Sequence, residues 1–258
     1  MPLKIENICP DFFTQNSSKP QLFQGLNANV FQTLLENSRL LNHASGQTLL
    51  QQGDTPSDLY LLVEGEVRTF RVNMEGQEAT IRMIQKGDTC MEDTIFVGGI
   101  SPVTVQCVTS SKVLHTPKKY VMNLALKDPQ FANNLLKIVT HHYKKAVHQI
   151  DAMTIKSPVE RVGYYFLEQH LQQGHDSMEF ELPFKKSLIA NHLGITPETF
   201  SRALKQIKEM GIKIDGDKIR LEDAFALCHF CDLDIAQHCE VEKKEDCSSC
   251  LLNKDNCH

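Results

Sequence analysis

Six glycines recur at short intervals over the first half of the chain, and they constrain its fold more than any other feature. They stand at positions 46, 53, 65, 76, 87 and 98, at steps of 7 to 12 residues. Runs of high strand propensity lie between them, such as Leu59-Tyr-Leu-Leu-Val63. Short strands divided by turn residues at regular spacing are typical of antiparallel barrels and rolls. The pattern predicts a β-roll from Gly46 onward.

A helical period replaces this pattern near Asp128. Side chains recur every three or four residues without a Gly or Pro break, at Phe131, Leu135, Ile138, His142, Ala146, Gln149 and Met153. This spacing predicts one long helix with a seam. Because His142 and Gln149 make the seam less apolar than a monomer core would favour, we expect it to face a partner helix in a homodimer. Packing of the helix on its own barrel is the alternative.

Two shorter helices are predicted on either side of these elements. Before the roll, helical spacing of apolar side chains indicates a lead-in helix that contains Val30, Phe31, Leu34, Leu35 and Leu40. After the long helix, Ser157-Pro158 indicates a hinge, since proline disfavours a helical conformation of the preceding residue. A new helix follows through Val162, Tyr165, Phe166 and Leu167.

The next segment has the order of a winged helix-turn-helix. Residues 185–193 are predicted to be helical, Gly194 permits a sharp turn, and Thr196-Pro197 supplies an N-cap and a first helical residue. Two helices joined by about three residues are what a helix-turn-helix requires. Asp215-Gly216 between two short apolar runs predicts a hairpin, and residues 179–182 predict a further strand.

The second of these helices has two different faces. Phe200, Ala203, Leu204 and Ile207 share the face expected to be buried, whereas Glu198, Ser201, Arg202 and Lys205 share the opposite face. Arginine pairs with guanine in a bidentate fashion and glutamate accepts from the cytosine amino group. The candidate DNA-binding residues are Lys186, Thr196, Glu198, Ser201, Arg202 and Lys205. An amphipathic helix with a solvated face is the alternative interpretation.

The distribution of charge along the chain predicts that any DNA contact is made by the helix-turn-helix segment. The whole chain has a formal net charge of -5, which argues against a protein that coats nucleic acid over its whole surface. Residues 185–213 nevertheless hold six basic and two acidic side chains, a net charge of +4. Lys218 or Arg220 of the hairpin could contact phosphates. The sequence therefore predicts local binding to double-stranded DNA.

The run from Lys186 to Leu204 resembles the recognition region of the Crp/Fnr family of bacterial transcription regulators. The resemblance extends through the barrel glycines, the long helix and Ser157-Pro-Val-Glu-Arg-Val162, over about residues 20 to 225. It implies an α+β fold with a cyclic-nucleotide-binding-type β-roll, a dimerisation helix and a C-terminal winged helix-turn-helix. It also implies that Glu198, Ser201 and Arg202 read a palindrome with TTGAT-like half-sites, since Pro197 stands where the Crp-like version has an additional arginine. RNA polymerase is the further partner that it implies.

We therefore expect four segments. They are a sensory roll with its lead-in helix over 1–125, a dimerisation helix over 126–155, the DNA-binding domain over 156–226 and a cysteine-rich tail over 227–258. An enzyme is not expected, because residues 45–120 contain one histidine, His115, and a cupin-type oxygenase needs a histidine-rich metal triad. No stretch approaches the roughly 20 apolar residues of a membrane helix, and the start of the chain has no secretion signal, which predicts a cytoplasmic protein without membrane contact.

The roll is not expected to bind cyclic AMP. The resemblance implies a phosphate held by a Gly-Glu turn and by an arginine some ten residues later, but here Met91 precedes Glu92 and Pro102 replaces the arginine. No Lys or Arg lies between Gly87 and Ser111, so a buried phosphate would lack a cation. Some relatives bind haem in this barrel, and the candidate ligands would be His43, His115, His141 and His142. Cys90 and Cys107 lie in apolar strings and are interpreted as small core residues.

Six of the nine cysteines fall after position 227. They are Cys228, Cys231, Cys239, Cys247, Cys250 and Cys257. Two Cys-x-x-Cys pairs separated by 15 residues can complete a tetrahedral thiolate site, so the tail is predicted to bind zinc or an iron-sulfur cluster. The Fnr branch implies a cluster that senses oxygen or nitric oxide, although its ligands usually precede the barrel, where this chain has only Cys9. A dithiol switch through Cys247 and Cys250 is a third interpretation.

Two functional alternatives remain beside the redox- or gas-responsive regulator. One is a haem-dependent sensor of nitric oxide or oxygen whose tail holds structural zinc. The other is a non-enzymatic metal-binding protein, which would have no need of the polar face formed by Glu198, Ser201 and Arg202.

Overall fold

The computed structural model describes residues 19–173, 178–222 and 226–231. The chain divides into two compact units, of which the first ends at Val147 and the second begins at His148. The boundary therefore lies inside the longest helix. In the described part of the chain, no helix combines the length and the apolar character needed to cross a membrane.

The first unit is the expected β-roll. Its elements are α1 (Ala28–Glu36), β1 (Arg39–His43), β2 (Thr48–Leu50), β3 (Asp58–Glu64), β4 (Val67–Val72), β5 (Glu78–Ile84), β6 (Thr89–Cys90), α2 (Glu92–Val97), β7 (Thr104–Cys107), β8 (Ser111–Pro117), α3 (Lys118–Lys127) and the first part of α4 (Pro129–Ile155). The strands form two four-stranded antiparallel sheets, in the orders β1-β8-β3-β6 and β2-β7-β4-β5.

The recurring glycines make the turns of the roll. All six that predicted the fold have φ between +80° and +96°, a region that side chains with a Cβ rarely adopt. At Gly65 space is also limiting, because a Cβ there would lie 2.6 Å from the carbonyl oxygen of Ser110. Five of the six lie in the connections between successive strands from β1 to β6, and Gly98 ends α2.

The interior of the roll is filled by its own side chains. Cys90 and Cys107 are 2% and 0% exposed, which confirms that they are small core residues. A cavity of about 10 Å³ lies among Tyr60, Ile84, Cys90 and their neighbours, enough for about one water molecule. This cavity is too small for a nucleotide or a haem.

The lead-in helix is confirmed in part. The side-chain oxygen of Asn27 caps α1 by accepting from the backbone N–H of Asn29 at 2.9 Å, and Leu34 and Leu35 are fully buried. The assignment of Leu40 to this helix is wrong. Leu40 lies in β1 and pairs with Leu114 of β8, because cross-strand hydrogen bonding takes over after the helix ends at Glu36.

The long helix is confirmed as α4. The first half of the predicted seam, however, packs on the roll and does not face a partner helix. Phe131, Leu135 and Ile138 are at most 6% exposed and belong to the core of the roll. There the alternative interpretation, packing on the chain's own barrel, is correct. A second apolar stripe is exposed along α4, and its members are Leu136, Val139, Tyr143, Val147 and Ile150.

The second unit is a winged helix-turn-helix. It contains the last turns of α4, α5 (Pro158–Gln173), β9 (Glu179–Glu181), α6 (Lys186–His192), α7 (Pro197–Glu209), β10 (Ile212–Asp215), β11 (Lys218–Leu221) and a 3₁₀ turn (Cys228–Phe230). The three strands form one antiparallel sheet in the order β10-β11-β9. Arg161 fixes the predicted hinge by donating to the carbonyl oxygens of Met153 at 2.8 Å and Lys156 at 3.0 Å.

Candidate nucleic-acid interface

The start of α7 is fixed by its own sequence. Thr196 has extended backbone angles, and its hydroxyl oxygen accepts from the backbone N–H of Thr199 at 3.2 Å. Pro197 occupies the first helical position, where a missing N–H costs nothing. Gly194 turns the chain between α6 and α7 with φ of +66°. These residues define where α7 begins, and its first turn is exposed at Pro197 and Glu198.

The two faces of α7 separate as predicted. Phe200, Ala203 and Ile207 are at most 2% exposed, and Leu204 is half-buried. The helix packs against α5 and α6. The opposite face is exposed and carries Glu198, Ser201, Arg202 and Lys205. The fold therefore brings these four candidate residues together on one accessible surface, which we call the reading face.

Donors and acceptors are both present on the reading face. The backbone N–H of Glu198 and the Thr196 hydroxyl hold the pKa of the Glu198 carboxyl below its usual range. Glu198 is therefore an ionised acceptor at neutral pH. Arg202, one turn later, supplies planar donors, and Ser201 supplies a hydroxyl group. This combination suits base edges, which present both donors and acceptors in the major groove.

Lys186 has a structural contact that its sequence position did not reveal. Its ammonium group donates to the carbonyl oxygen of Gly216, in the turn of the β-hairpin. This bond joins α6 to the wing and occupies one of the three ammonium hydrogens. The contact spans 30 residues, so a local sequence pattern gave no sign of it.

The wing leaves one of its basic side chains without an acidic partner among the described residues. Lys213 pairs with Glu222 at 2.8 Å, and Arg220 pairs with Glu179. Lys218 is exposed and forms no ion pair with the described part of the chain. Of the two wing residues considered for phosphate contact, Lys218 is therefore the better placed.

The roll holds a buried polar network that the sequence revealed only in part. Glu92 is 2% exposed and accepts a short hydrogen bond from the Thr89 hydroxyl. Arg82 of β5 lies 3.9 Å from the Glu92 carboxylate and donates to the Thr89 carbonyl oxygen at 2.9 Å. The expectation that no cation serves this region considered only residues 87 to 111, and it missed Arg82 because that residue lies on the preceding strand.

His142 connects this network to α4. Arg82 can only donate, so the His142 Nε2 atom, 2.7 Å away, accepts and the ring proton lies on Nδ1. Burial, reinforced by the Arg82 charge, lowers the pKa of His142 to about 3. The ring is therefore neutral at pH 7, and its contact with Glu92 is not an ion pair.

Two other haem-ligand candidates contact each other. The Nε2 atoms of His43 and His115 are 3.0 Å apart, and the two rings stack. Burial, with His43 nearby, lowers the pKa of His115 to about 4. Tyr60 packs edge-on against the His115 ring. The two imidazole rings thus contact each other inside the roll, and Tyr60 contacts the second of them.

The tail is described only at its start. Cys228 and Cys231 are partly exposed, and they lie in and directly after the 3₁₀ turn. Cys239, Cys247, Cys250 and Cys257 lie outside the described residues. Within residues 19–173, 178–222 and 226–231, no group of three or more His, Cys, Asp or Glu side chains is arranged to hold a metal ion.

Comparisons with known proteins match both units. Residues 40–128 match the model of the cyclic nucleotide-binding domain, and residues 160–230 match the Crp-like helix-turn-helix domain. The transcriptional activator protein FnrA of Stutzerimonas stutzeri is 26% identical over 191 residues, which cover 71% of this chain and 76% of that protein. The fumarate and nitrate reduction regulatory protein of Escherichia coli K12 is 27% identical over 186 residues, covering 70% and 74%.

A solved structure shares the fold. FixK2 from Bradyrhizobium japonicum superimposes with a TM-score of 0.67 at 21% identity, and the match covers 76% of this chain and 98% of that one.

Proposed function

This chain belongs to the Crp/Fnr family of DNA-binding transcription regulators, and from that premise we propose that it binds palindromes with TTGAT-like half-sites as a homodimer and responds to a redox or gas signal. The observation that carries the proposal is the joint exposure of Glu198, Ser201 and Arg202 on the first two turns of α7. The N-terminal end of a recognition helix is the part that enters the major groove. RNA polymerase is the proposed protein partner, and the cytoplasm is the proposed compartment.

Each side chain of the reading face has a proposed role. Arg202 donates two hydrogen bonds to one guanine in each half-site, and Glu198 accepts from a cytosine amino group. Ser201 hydrogen-bonds to a neighbouring base. Thr196, Lys186 and Lys205 contact the backbone of the duplex, and such contacts fix register without reading sequence.

The proposed dimer uses the exposed stripe of α4. Leu136, Val139 and Tyr143 recur at steps of three and four residues, and Val147 and Ile150 continue the stripe. Apolar side chains at this spacing pack against an identical helix in a two-stranded coiled coil. A two-fold dimer would then present two reading faces to the two halves of a palindrome.

We propose that the signal is sensed by the cysteine-rich tail and not by a nucleotide pocket in the roll. Arg82, the cation nearest to Glu92, already donates to Thr89 and contacts His142, so a cyclic phosphate would have to displace those bonds. Zinc or an iron-sulfur cluster is proposed to bind among Cys228, Cys231, Cys239, Cys247, Cys250 and Cys257. Cys228 opens the 3₁₀ turn and Cys231 is its C-cap, so the first two cysteines have the Cys-x-x-Cys spacing that metal sites use. A bound ion would stabilise the thiolates, and a cluster would add redox chemistry.

DNA binding tests the proposal directly. We expect the reduced full-length protein to bind a TTGAT palindrome more tightly than a scrambled duplex at the same salt concentration. Arg202→Ala should remove about 1–3 kcal/mol of this discrimination per guanine contact. Lys208→Ala is the matched control, since Lys208 is exposed near the other end of α7. Equal affinity for the two duplexes before and after Arg202→Ala would refute the assignment.

The tail is tested by absorption and elemental analysis of protein purified without oxygen. A colourless protein that contains zinc, a brown protein with iron and sulfide, and a protein with a Soret band are three distinguishable results. Truncation after Leu227 should abolish the first or second result. A Soret band that survives truncation would instead favour haem in the roll.

A further inference from the structure

One arginine of the second unit joins the ends of two helices. Arg161 of α5 donates to the carbonyl oxygens of Met153 at 2.8 Å and Leu193 at 3.3 Å. Met153 lies in the last turn of α4, and Leu193 is the C-cap of α6. The last carbonyl groups of a helix have no partners within the helix and carry a partial negative charge. A guanidinium group, with several donors in one plane, can therefore satisfy both helix ends at once.

Two further contacts join α4 to the same end of α6. Gln149 of α4 donates to the carbonyl oxygen of His192 at 3.0 Å. The sequence pattern assigned Gln149 to the dimer seam, but in the structure its amide contacts its own chain. A Cβ placed on Gly194 would lie 3.3 Å from the Met153 methyl carbon, so these two residues are also in close contact. We call these contacts, together with those of Arg161, the hinge clamp.

The hinge clamp lies at the turn of the helix-turn-helix. Gly194 stands two residues before Thr196, the N-cap of α7. Arg161 also donates to the carbonyl oxygen of Lys156 at 3.0 Å, in the segment between α4 and α5. The end of α4 is thus hydrogen-bonded to the turn from which the reading helix starts. Because side chains that are locked by such bonds hold a site in a fixed geometry, the clamp fixes the direction of α7 relative to the end of α4.

The same turns of α4 carry the last member of the exposed stripe. Ile150 follows Gln149 directly, belongs to the second unit and is 66% exposed. In the proposed dimer, the clamp therefore connects the contact between the two copies to each reading face. Every base pair added between two half-sites displaces the second one by about 3.4 Å and rotates it by about 35°. A dimer with fixed reading faces cannot follow this change without losing contacts.

We propose that the hinge clamp determines which spacing between half-sites the protein accepts, with Arg161 and Gln149 as positioning residues. This inference rests on the proposed binding of a palindrome by a homodimer. Neither side chain has to contact the duplex, since each acts through the orientation of α7. Without the clamp, each reading face can turn about the segment between α4 and α5. The dimer then accepts several spacings, and the best one is bound less tightly because ordering the reading faces costs entropy.

The experiment uses reduced full-length protein and TTGAT palindromes whose spacer is changed by one base pair at a time. Affinity is measured by fluorescence anisotropy at a constant salt concentration. When the best spacer is lengthened or shortened by one base pair, the wild type should lose at least about tenfold in affinity, because both half-sites are no longer bound together. In Arg161→Gln this loss should fall below about threefold. A duplex with a single half-site should bind both proteins equally, since the reading face is unchanged.

A second variant guards against loss of folding in Arg161→Gln. Gln149→Ala removes the bond to His192 and leaves the Arg161 bonds in place, so its spacer preference should lie between those of the wild type and Arg161→Gln. Gln172→Ala is the matched control, because it removes the same amide from an exposed position on α5. The control should keep the wild-type preference. Each preference is a ratio of affinities at one salt concentration, so the lost charge of Arg161 does not contribute to it.

The outcomes separate the two proposals. If the wild type does not distinguish a TTGAT palindrome from a scrambled duplex, the proposed function is refuted, and the inference with it. If it binds the palindrome but accepts all spacers equally, or if the two clamp variants keep the wild-type preference, the proposed base reading stands and the clamp is refuted. Weaker binding of Arg161→Gln to the single half-site would show a general structural role for Arg161 and would also refute its assignment as a positioning residue.

Discussion

At the scale of single residues, burial determines the protonation states of several side chains in the roll. Glu92 is enclosed with Arg82 as its nearest cation, and burial raises the pKa of the Glu92 carboxyl. His142 completes the group from α4 and stays neutral because its charged form would be both desolvated and close to Arg82. The Glu92 position, for which the resemblance implies a phosphate contact, is thus engaged by the chain's own side chains.

Because of the His142 ring, the free energy of unfolding should depend on pH in the acid range. Its pKa falls from an ordinary 6.5 to about 3 in the folded protein, so the unfolded chain takes up a proton first as pH drops. The contribution of the neutral His142 ring to the free energy of unfolding is present above about pH 6.5 and is lost progressively below it. At pH 5 the loss can reach about 2 kcal/mol, from 1.36 kcal/mol for each pH unit. His142→Gln can still accept from Arg82 and has no proton to take up.

Urea unfolding at pH 7 and pH 5 measures this difference. The wild type should lose more free energy of unfolding than His142→Gln between the two values. Comparison of the two proteins cancels the contributions of His43, His115 and His141, whose pKa values are also lowered by burial. Parallel losses in both proteins would mean that His142 is not held neutral.

At the scale of elements, α4 shows what a sequence period can and cannot decide. The helix carries two apolar stripes, one through Phe131 and Leu135 and one through Leu136 and Val139. Both have helical spacing, so the helix itself was predictable. Which stripe packs on the roll depends on sheets far away in the sequence, and the period does not contain that information.

We expect the exposed stripe to hold the dimer together. Leu136→Glu puts a charge at a position that is 64% exposed in the single chain, so the fold should survive while the dimer is lost. Sedimentation should give a monomer, and affinity for the palindrome should fall because two half-sites are no longer bound together. Lys137→Glu, exposed one position later, is the control and should remain dimeric. A dimer that persists in Leu136→Glu would place the interface elsewhere.

The same division between local and distant information applies to the candidate site. The helix-turn-helix, the Thr196 cap and the Asp215-Gly216 wing were predicted because each depends on neighbouring residues. The exposure of Glu198, Ser201 and Arg202 followed from the period of one helix. Arg82 and the bond from Lys186 to Gly216 were missed, since each joins elements whose proximity is set by the tertiary fold.

At the scale of the whole molecule, an acidic chain has to bind an acidic polymer. The net charge is -5, while residues 185–213 carry +4 and the segment from 226 to 258 holds seven acidic and three basic side chains. Charges separated by more than about 10 Å are largely screened at 0.1 M salt, so the local patch decides the contact. Such a charge distribution disfavours binding along arbitrary DNA and leaves discrimination to the reading face.

Lys218 should contribute to affinity without contributing to discrimination. It is exposed on the wing and forms no ion pair with the described residues, so it can replace a counterion at a phosphate. Each such contact adds about 0.9 to the magnitude of the slope of log K against log salt, hence about 2 for a dimer. Lys218→Gln should lower the slope by that amount and weaken TTGAT and scrambled duplexes equally.

Lys213→Gln is the matched control on the same hairpin, since Lys213 already pairs with Glu222 at 2.8 Å and should change the slope much less. Titrations by anisotropy from about 50 to about 300 mM salt, over which the Debye length falls by more than half, resolve this difference. Equal slopes for Lys218→Gln and the wild type would remove Lys218 from the interface. A loss confined to the TTGAT duplex would make Lys218 a reader of sequence rather than a phosphate contact.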